Sequence, residues 1–289
     1  MTDEPGFSDP SATDVELKHA RRGITRAGLD ASAWVGVALR RGASRLADFL
    51  VPAQCLVCHA AVDAQNTLCG ACWRQIHFIR HPVCDRLGMP LPGGVAASGR
   101  IVSAAAIAAP PDYDRARAVA HFTGALRPLV HRLKYNDRLE VRALFGTWLT
   151  EAGRDLTIDA DVLIPVPLSR RRLIWRRFNQ SALLAQELSR HTGVPMAALA
   201  LVRQKSTPPQ VGLTQAQRHA NMAGAFAVTK QGRVLIQDRN VVLVDDVITT
   251  GATVSACARV LRRAGAARVD VLALGLVTDF ARSMPNETT

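Results

Sequence analysis

The chain has 289 residues, with 36 Lys and Arg against 24 Asp and Glu, which gives a net charge of +12. A chain of this length can bury one sizeable core and carry a smaller module beside it. The charge favours polyanionic partners such as phosphates, nucleic acid or an acidic surface. Six cysteines are too few for a disulfide-stabilised fold of this length, and no apolar run is long enough to span a membrane.

The N-terminal part of the chain predicts two elements ahead of the first motif. Residues 1–30 are polar and mixed in charge, which predicts a flexible tail. Residues 31–50 place apolar side chains between arginines, which predicts an amphipathic helix. Arg21 and Arg22 precede apolar residues, as in an export signal, but Asp30 interrupts that stretch, so we expect a cytoplasmic protein.

Four of the six cysteines form two closely spaced Cys-x-x-Cys pairs, Cys55 with Cys58 and Cys69 with Cys72. Two such pairs supply the four thiolates of a tetrahedral Zn²⁺ site, and because four sulfurs close the coordination shell, we expect the zinc to be structural. The surrounding segment has too few core residues to fold without such a support. We therefore predict a zinc-ribbon module over residues 51–92, in a reducing compartment.

The first cysteine pair also fits a second kind of site, covalent haem attachment. Cys58 is followed by His59, which completes the Cys-x-x-Cys-His string of that chemistry. Haem attachment of this kind requires export, and it leaves Cys69 and Cys72 without a role. Zinc accounts for all four thiols.

Residues 110–280 alternate short apolar segments with amphipathic ones, which predicts an α/β domain with a parallel sheet and right-handed crossovers. The predicted strands are residues 117–122, 162–164, 225–228, 234–236, 241–244 and 269–276. The predicted helices are residues 124–135, 139–153, 181–192 and 254–264. Residues 88–99 are rich in Gly and Pro and predict a linker from the zinc module. We find no internal repeat in the sequence.

An arginine-rich segment follows the predicted strand 162–164. Five of the eight residues from 170 to 177 are Arg, and Trp175 lies among them. Such a segment after a strand is a candidate pyrophosphate or nucleic-acid site, and Arg170 and Arg171 are the candidate pyrophosphate contacts. A solvated basic turn has the same composition, so composition alone does not choose between the two.

The most informative stretch is 241–253, which joins a strand, two acids, a hydroxyl-rich turn and a helix. Its candidate site residues are Asp245, Asp246, Val247, Thr249, Thr250, Gly251, Ala252 and Thr253. Amide groups of the turn and of the first helical turn have no partners within the helix, and the helix dipole favours negative charge, which predicts a phosphate site. Gly251 lets the backbone approach the ligand closely.

The two adjacent acids fit a different part of the same ligand. Asp245 and Asp246 repel a phosphate, but they accept hydrogen bonds from sugar hydroxyls. A phosphorylated ribose satisfies both halves, at the carboxyl end of a parallel strand where open α/β sheets bind their ligands. An ordinary buried strand with a capped turn and a helix would share the pattern without binding anything.

This stretch resembles the phosphoribosyl-pyrophosphate (PRPP) signature of type I phosphoribosyltransferases, in which the acids hold the ribose hydroxyls and the loop holds the 5′-phosphate. The residues that match in consecutive register are Asp245, Asp246, Thr249, Thr250, Gly251 and Thr253. With a cysteine-rich module in front of it, the chain resembles the ComF family (ComF/GntX-like proteins). Further matches are Leu133-Lys134-Tyr135, Pro165-Val166-Pro167-Leu168, Arg176 with Phe178-Asn179-Gln180, Pro209-Gln210 with Leu213, and Arg218 with Asn221 and Phe226.

The resemblance to the ComF family implies a zinc-ribbon module followed by a phosphoribosyltransferase fold. It also implies a link to DNA uptake and use during competence, with no settled acceptor substrate. The chain departs from the family in two places. Cys84 stands where a second ribbon begins, but Leu87 occupies the position of its partner. Arg177 replaces the Gly of the family's Arg-Gly-Phe-Asn string, which puts the shape of that loop in question.

Two hypotheses for the function remain open at this point. The first is an enzyme that binds PRPP with Mg²⁺ and transfers the ribosyl 5-phosphate to an unidentified nucleophile, with release of pyrophosphate. In it the polar residues 208–222 would form a lid, with Arg218 as a lid contact. The second is a nucleotide sensor or single-stranded-DNA-binding factor that keeps the pocket, with the DNA-uptake machinery as a candidate partner.

Overall fold

The main sheet consists of four parallel strands: β1 is Ala116–His121, β2 is Val162–Pro165, β5 is Asn240–Ile248 and β6 is Arg268–Leu276. Their order across the sheet is β1-β6-β5-β2, and all three pairings are parallel, which confirms the predicted architecture. The structure is a computed structural model and describes residues 52–91, 101–135, 140–204 and 224–278. The predictions for residues 1–30, 31–50 and 208–222 fall outside these ranges.

Nine helices occur in the described ranges. They are α1 Gly70–Arg74, α2 Ala104–Ala108, α3 Leu126–Tyr135, α4 Glu140–Ala152, α5 Arg154–Thr157, α6 Arg170–Arg176, α7 Gln180–Thr192, α8 Lys230–Ile236 and α9 Ala252–Arg263. Both faces of the sheet are covered, as β5 illustrates. Val241 and Leu243 lie in one apolar cluster with α9, whereas Val242 and Val244 lie in a second cluster with α3, α4 and α7. The continuous apolar run of β5 therefore results from burial on both sides.

A two-stranded antiparallel ribbon lies on the α9 side of the main sheet. It pairs β3, Leu201–Arg203, with β4, Phe226–Val228, and α8 follows it directly. Leu201, Phe226 and Ile236 bury their side chains in the same cluster as α9.

Three local predictions were wrong. Residues 234–236 end helix α8, because Thr229 caps that helix by accepting the Gly232 N–H and so sets a helical path that a short apolar run cannot override. Residues 170–176 form helix α6 where a loop was expected. The acids 245 and 246 lie inside β5 and do not end it, because β6 continues to pair with β5 as far as Ile248.

The cysteine-rich module packs against β1, the edge strand of the sheet. Phe78 forms an antiparallel bridge with Ala120, and the Ile79 N–H donates to the Val119 carbonyl at 2.9 Å. Gly124 follows β1, and a Cβ at that position would lie only 2.3 Å from the Gln75 carbonyl oxygen. Glycine is therefore required where the module and the domain meet.

Candidate functional site

The two acids lie in a part of β5 that pairs with a neighbouring strand on one side only. Strand β2 pairs with β5 as far as Pro165 opposite Val244, and Val166 makes a last hydrogen bond to the Val244 carbonyl. From Asp245 onwards, β5 is paired only with β6 among the described strands. Strand β5 thus extends beyond β2 at the position where the sequence predicts the ligand.

Asp245 is buried, with 8% of its surface exposed. Its Oδ1 accepts from the Ser181 hydroxyl at 3.0 Å and from the Asp246 N–H at 2.9 Å. Burial raises the pKa of Asp245 to about 7, and the adjacent charge of Asp246 adds to this effect. A single buried carboxylate that titrates near neutral pH, with only two donors, is typical of a functional site.

Asp246 is less buried and forms an ion pair. The Lys134 Nζ, at the end of α3, lies 2.7 Å from the Asp246 Oδ2. Both side chains keep about a fifth of their surface exposed, at 21% and 17%. A ligand that uses Asp246 must therefore displace or share this ammonium group.

The loop after the acids has the geometry of an anion site. Gly251 has φ +74°, a left-handed conformation, and begins α9 without any side-chain cap for the first helical turn. Thr249 is exposed, and the Thr250 Oγ1 is buried without a hydrogen-bond partner. Orphaned donors at the start of a twelve-residue helix favour a bound anion. Three further predicted residues adjoin this loop: half-buried Val247, buried Ala252 and half-buried Thr253.

Tyr113, Ser181 and Lys134 border the site, and reasoning from the sequence assigned no role to any of them. The Tyr113 hydroxyl lies 3.7 Å from where a Cβ on Gly251 would stand, and burial raises the pKa of Tyr113 to about 12. It therefore stays a neutral hydroxyl beside the loop. A sequence signal existed only for Lys134, within the string that resembles the ComF family.

The segment between β2 and α7 contains Arg177 in a left-handed backbone conformation. Its φ is +64°, a conformation that a Gly adopts without strain. The Asn179 side chain caps α7 by accepting from the Ser181 N–H, and its amide donates to the Val166 carbonyl at 3.0 Å. The loop is thus fixed to the end of β2, beside Asp245.

The tentative arginine contacts are not positioned by the structure. Arg170 and Arg171 start helix α6 in the loop region after β2, and nothing is described of their side chains. Arg218 lies outside the described residues. All three stay predictions.

The four cysteines of the first ribbon converge on one point. The sulfur atoms of Cys55, Cys58, Cys69 and Cys72 all lie within 4.8 Å of one another. A tetrahedral zinc with Zn–S bonds of about 2.3 Å separates its sulfurs by about 3.8 Å, so this donor set fits structural Zn²⁺. The Cys58 and Cys69 sulfurs are already 3.6 Å apart.

The first knuckle, residues 55–60, is held to the α/β domain by Arg132 of α3. Arg132 donates to the Leu56 carbonyl at 2.5 Å and to the Val57 carbonyl at 3.0 Å. Its Nη2 also lies 2.8 Å from the His59 Nε2. His59 therefore contacts an arginine of the domain, and the four thiols contact one another, which favours zinc over haem.

Residues 83–91 and 101–108 repeat the local geometry of the first ribbon with other side chains at the metal position. In the first knuckle the Cys55 N–H donates to the Ala60 carbonyl, and the Cys55 carbonyl accepts from the His59 N–H. In the second knuckle the Cys84 N–H donates to the Met89 carbonyl, and the Cys84 carbonyl accepts from the Gly88 N–H, at the same spacings. A residue with positive φ stands at the same place in both, His59 at 62° and Gly88 at 68°. The residue pattern alone does not show this repeat, because only one of the four ligand positions keeps its cysteine; the resemblance to the ComF family marked Cys84 and Leu87 only.

The second half of the repeat identifies the remaining positions. Ser103 caps α2 by accepting from the Ala106 N–H, just as Cys69 caps α1 by accepting from the Cys72 N–H. The equivalents of Cys55, Cys58, Cys69 and Cys72 are therefore Cys84, Leu87, Ser103 and Ala106. One thiol in four cannot bind zinc as the first ribbon does. The buried Cys84 sulfur instead accepts from the Ser103 N–H at 3.2 Å.

Comparison with known families gives the class of protein that the fold and the site define. A double zinc ribbon domain matches residues 46–103, and a phosphoribosyl transferase domain matches residues 179–276. None of the helices within the described part of the chain is both long and apolar enough to cross a bilayer.

Several relatives cover most of the chain. The DNA utilization protein YhgH of Escherichia coli K12 is 33% identical over 231 residues, which span 78% of this chain and 97% of that protein. Competence protein F of Haemophilus influenzae is 32% identical over 230 residues, which span 76% of this chain and 96% of that protein. The chain belongs to the ComF family. A PRPP amidotransferase structure from Bacillus subtilis matches more weakly, at 23% identity and TM-score 0.33, over 50% of this chain and 30% of that one.

Proposed function

We propose that the site at the end of β5 binds PRPP or another ribose 5-phosphate ligand together with Mg²⁺. The observation that carries this proposal is the pairing of two different groups in one loop. Asp245 and Asp246 are carboxylates suited to ribose hydroxyls, and the uncapped start of α9, with its orphaned Thr250 hydroxyl, is suited to the 5′-phosphate.

The reaction proposed for this site is transfer of the ribosyl 5-phosphate to a nucleophile, with release of pyrophosphate. Asp245 and Asp246 would hold the hydroxyls and oppose the positive charge that builds on the sugar ring, and the loop would fix the ligand's geometry. Mg²⁺ would offset the charge of the leaving pyrophosphate. The described residues offer one cluster of three or more metal-binding side chains, and it is the cysteine set. Mg²⁺ would accordingly be held mainly by ligand phosphates, as is usual for this ion.

Lys134 adds a feature that the sequence did not predict. A ribose bound to Asp246 has to compete with the ammonium group that lies 2.7 Å away. Once displaced, the ammonium stays close to the negatively charged ligand. Exchange of one anionic partner for another keeps Lys134 paired in both states, which limits the cost of opening the site.

The decisive experiment is calorimetry with PRPP and Mg²⁺ on the double variant Asp245→Asn, Asp246→Asn. We expect PRPP binding to be lost, because amides accept sugar hydroxyls more weakly and carry no charge. The matched control is Asp238→Asn, an exposed acid with φ +57°, where Asn is equally at ease. Unchanged PRPP affinity in the double variant would refute the site.

A second candidate function is a binding protein without catalysis, linked to DNA. The names of the relatives, a DNA utilization protein and competence proteins, favour this role, as does the net charge of +12. Single-stranded DNA or the DNA-uptake machinery would then be the partner, in the cytoplasm, where the zinc thiolates stay reduced. A screen of bases and amines for pyrophosphate release separates the two. Release with any acceptor supports the enzyme, whereas PRPP binding without release supports the binding protein.

A further inference from the structure

A cavity lies between the first ribbon and the edge of the main sheet. Its volume is about 430 Å³, within the range of ligand sites. None of the residues that line it belongs to the acid pair, 245–246, or to the loop that follows it, 247–251. It is formed by the end of α1, the segment that runs along β1, the middle of β1 and the end of α4. The residues used below are Trp73, Phe78, Arg80, Arg117, Trp148 and Glu151.

Three aromatic rings form one wall of this cavity. The ring centroids of Trp73 and Phe78 are 5.2 Å apart, those of Phe78 and Trp148 are 5.2 Å apart, and those of Trp73 and Trp148 are 5.9 Å apart. Trp148 is 8% exposed and holds the ribbon to the domain, whereas Trp73 is 47% exposed. An open indole face braced by two other rings is a stacking platform for a planar group.

The charges around the cavity are mostly positive. Arg80 is exposed and lines the cavity, and it has no ion pair with any residue that the structure describes. Arg74, next to Trp73, is also exposed. The one carboxylate of the lining, Glu151, is already paired with Arg154 at 2.6 Å. The cavity therefore offers cations to a ligand and little repulsion to a phosphate.

Arg117 supplies a polar group inside the cavity. It is only 6% exposed, and its Nη2 contacts Asp85 at 2.5 Å and Asp155 at 2.6 Å. Its Nε is buried and has no hydrogen-bond partner. A buried donor without an acceptor is costly, and an acceptor on a bound ligand would satisfy it.

We propose that this cavity binds single-stranded nucleic acid, with one unpaired base stacked on Trp73 and the adjoining phosphates on Arg80. A base supplies a planar face that stacks on the indole of Trp73. It also carries acceptor atoms of the kind that the Arg117 Nε lacks. The exposed arginines at the cavity suit a chain of phosphates that continues over the surface. This site is separate from the ribose-phosphate site. The proposal rests on the second candidate function, the DNA-linked binding protein, and does not depend on PRPP binding.

The test is the anisotropy of a labelled oligothymidylate on the zinc-loaded protein. Trp73→Leu keeps an apolar contact for Phe78 and Trp148 but removes the stacking face, and we expect roughly tenfold weaker binding. Arg80→Ala should lower the slope of log affinity against log salt by about 0.7, the value for one phosphate contact on a single strand. The controls are Leu199→Ala and Arg263→Ala, exposed residues elsewhere on the domain, which should keep wild-type affinity.

Several results would overturn this assignment. They are wild-type affinity in both Trp73→Leu and Arg80→Ala, equal losses in the control variants, duplex DNA bound as tightly as the single strand, and thymidine monophosphate bound while the oligonucleotide is not. Zinc content and thermal unfolding show whether Trp73→Leu is folded; if it is not, the salt slope of Arg80→Ala decides alone. PRPP calorimetry on the same variants keeps the two proposals distinguishable, because neither residue touches the acid pair.

Discussion

Asp245 is the side chain whose protonation should control ligand binding. Burial and the neighbouring charge of Asp246 raise its pKa to about 7, and only the ionised form accepts both ribose hydroxyls well. We therefore expect PRPP affinity to rise with pH between about 6 and 8, by at most about tenfold per unit below the pKa. Calorimetry at fixed Mg²⁺ across this range measures the effect.

Variants of the two neighbours should move this pH profile in opposite directions. Asp246→Asn removes the charge that raises the pKa of Asp245, so the midpoint should fall. Lys134→Met removes the ammonium that lowers the pKa, so the midpoint should rise. A profile with the same midpoint in both variants would show that Asp245 is not the titrating group.

The left-handed backbone of Arg177 lowers the stability of the folded chain relative to a Gly, the residue that the ComF family has at this position. A left-handed conformation such as φ +64° costs a non-glycine residue about 1–2 kcal/mol, offset in part by the greater freedom of Gly when unfolded. Arg177→Gly should therefore raise the free energy of unfolding by roughly 0.5–1 kcal/mol, measured by urea denaturation. Arg176→Gly, at the end of helix α6, should lower it by about 1 kcal/mol. Two effects of the same sign would contradict the assigned backbone.

At the scale of an element, the second ribbon keeps its fold with only one of the four metal ligands, Cys84. Its knuckle keeps the hydrogen bonds of the first, and Ser103 keeps the cap of the following helix, so hydrogen bonds and burial replace the ion. The triple variant Leu87→Cys, Ser103→Cys, Ala106→Cys restores four thiols around Cys84. We expect zinc content, measured by plasma emission spectrometry, to rise from one ion per chain to two.

The control for this prediction is the same triple variant with Cys84→Ser. Three thiols bind zinc less tightly than four, so a second ion should be lost during dialysis against a weak chelator. Two zinc ions in the unaltered chain would show instead that other residues complete the second site.

At the scale of the whole molecule, helix α3 connects the metal centre with the candidate ligand site. Arg132 holds the carbonyls of the first knuckle, and Lys134, two residues on, contacts Asp246. Loss of zinc should free the knuckle and loosen the end of α3. We expect removal of zinc with a chelator to weaken PRPP binding several-fold, and calorimetry before and after addition of zinc measures this.

Arg132→Ala distinguishes this coupling from general unfolding. This variant leaves all four cysteines in place, so zinc should stay bound. Its PRPP affinity should nevertheless fall, by part of the loss that removal of zinc causes in the unaltered protein. Arg127→Ala, on the same helix and with its guanidinium 5.7 Å from the Phe122 ring centroid, is the matched control. Equal PRPP affinity with and without zinc would rule the connection out.

The sequence by itself determined the features that depend on local pattern. The apolar run of β5 followed by two acids and a Thr-Gly turn predicted a strand, a loop and a helix, because burial and backbone geometry constrain each step. Two Cys-x-x-Cys pairs at short range predicted one zinc site, because four thiolates at such spacing have few other uses. The parallel sheet followed from the alternation of elements.

Only the tertiary structure decided which distant residues meet. Lys134 reaches Asp246, Ser181 reaches Asp245, and Arg132 reaches the first knuckle, over separations in sequence that no local pattern encodes. The repeat of the ribbon was likewise hidden, because hydrogen bonds of the backbone preserve a fold after its side chains have changed. Local propensity fixes the elements, but packing of their buried faces fixes their partners, and the pKa of Asp245 follows from that packing.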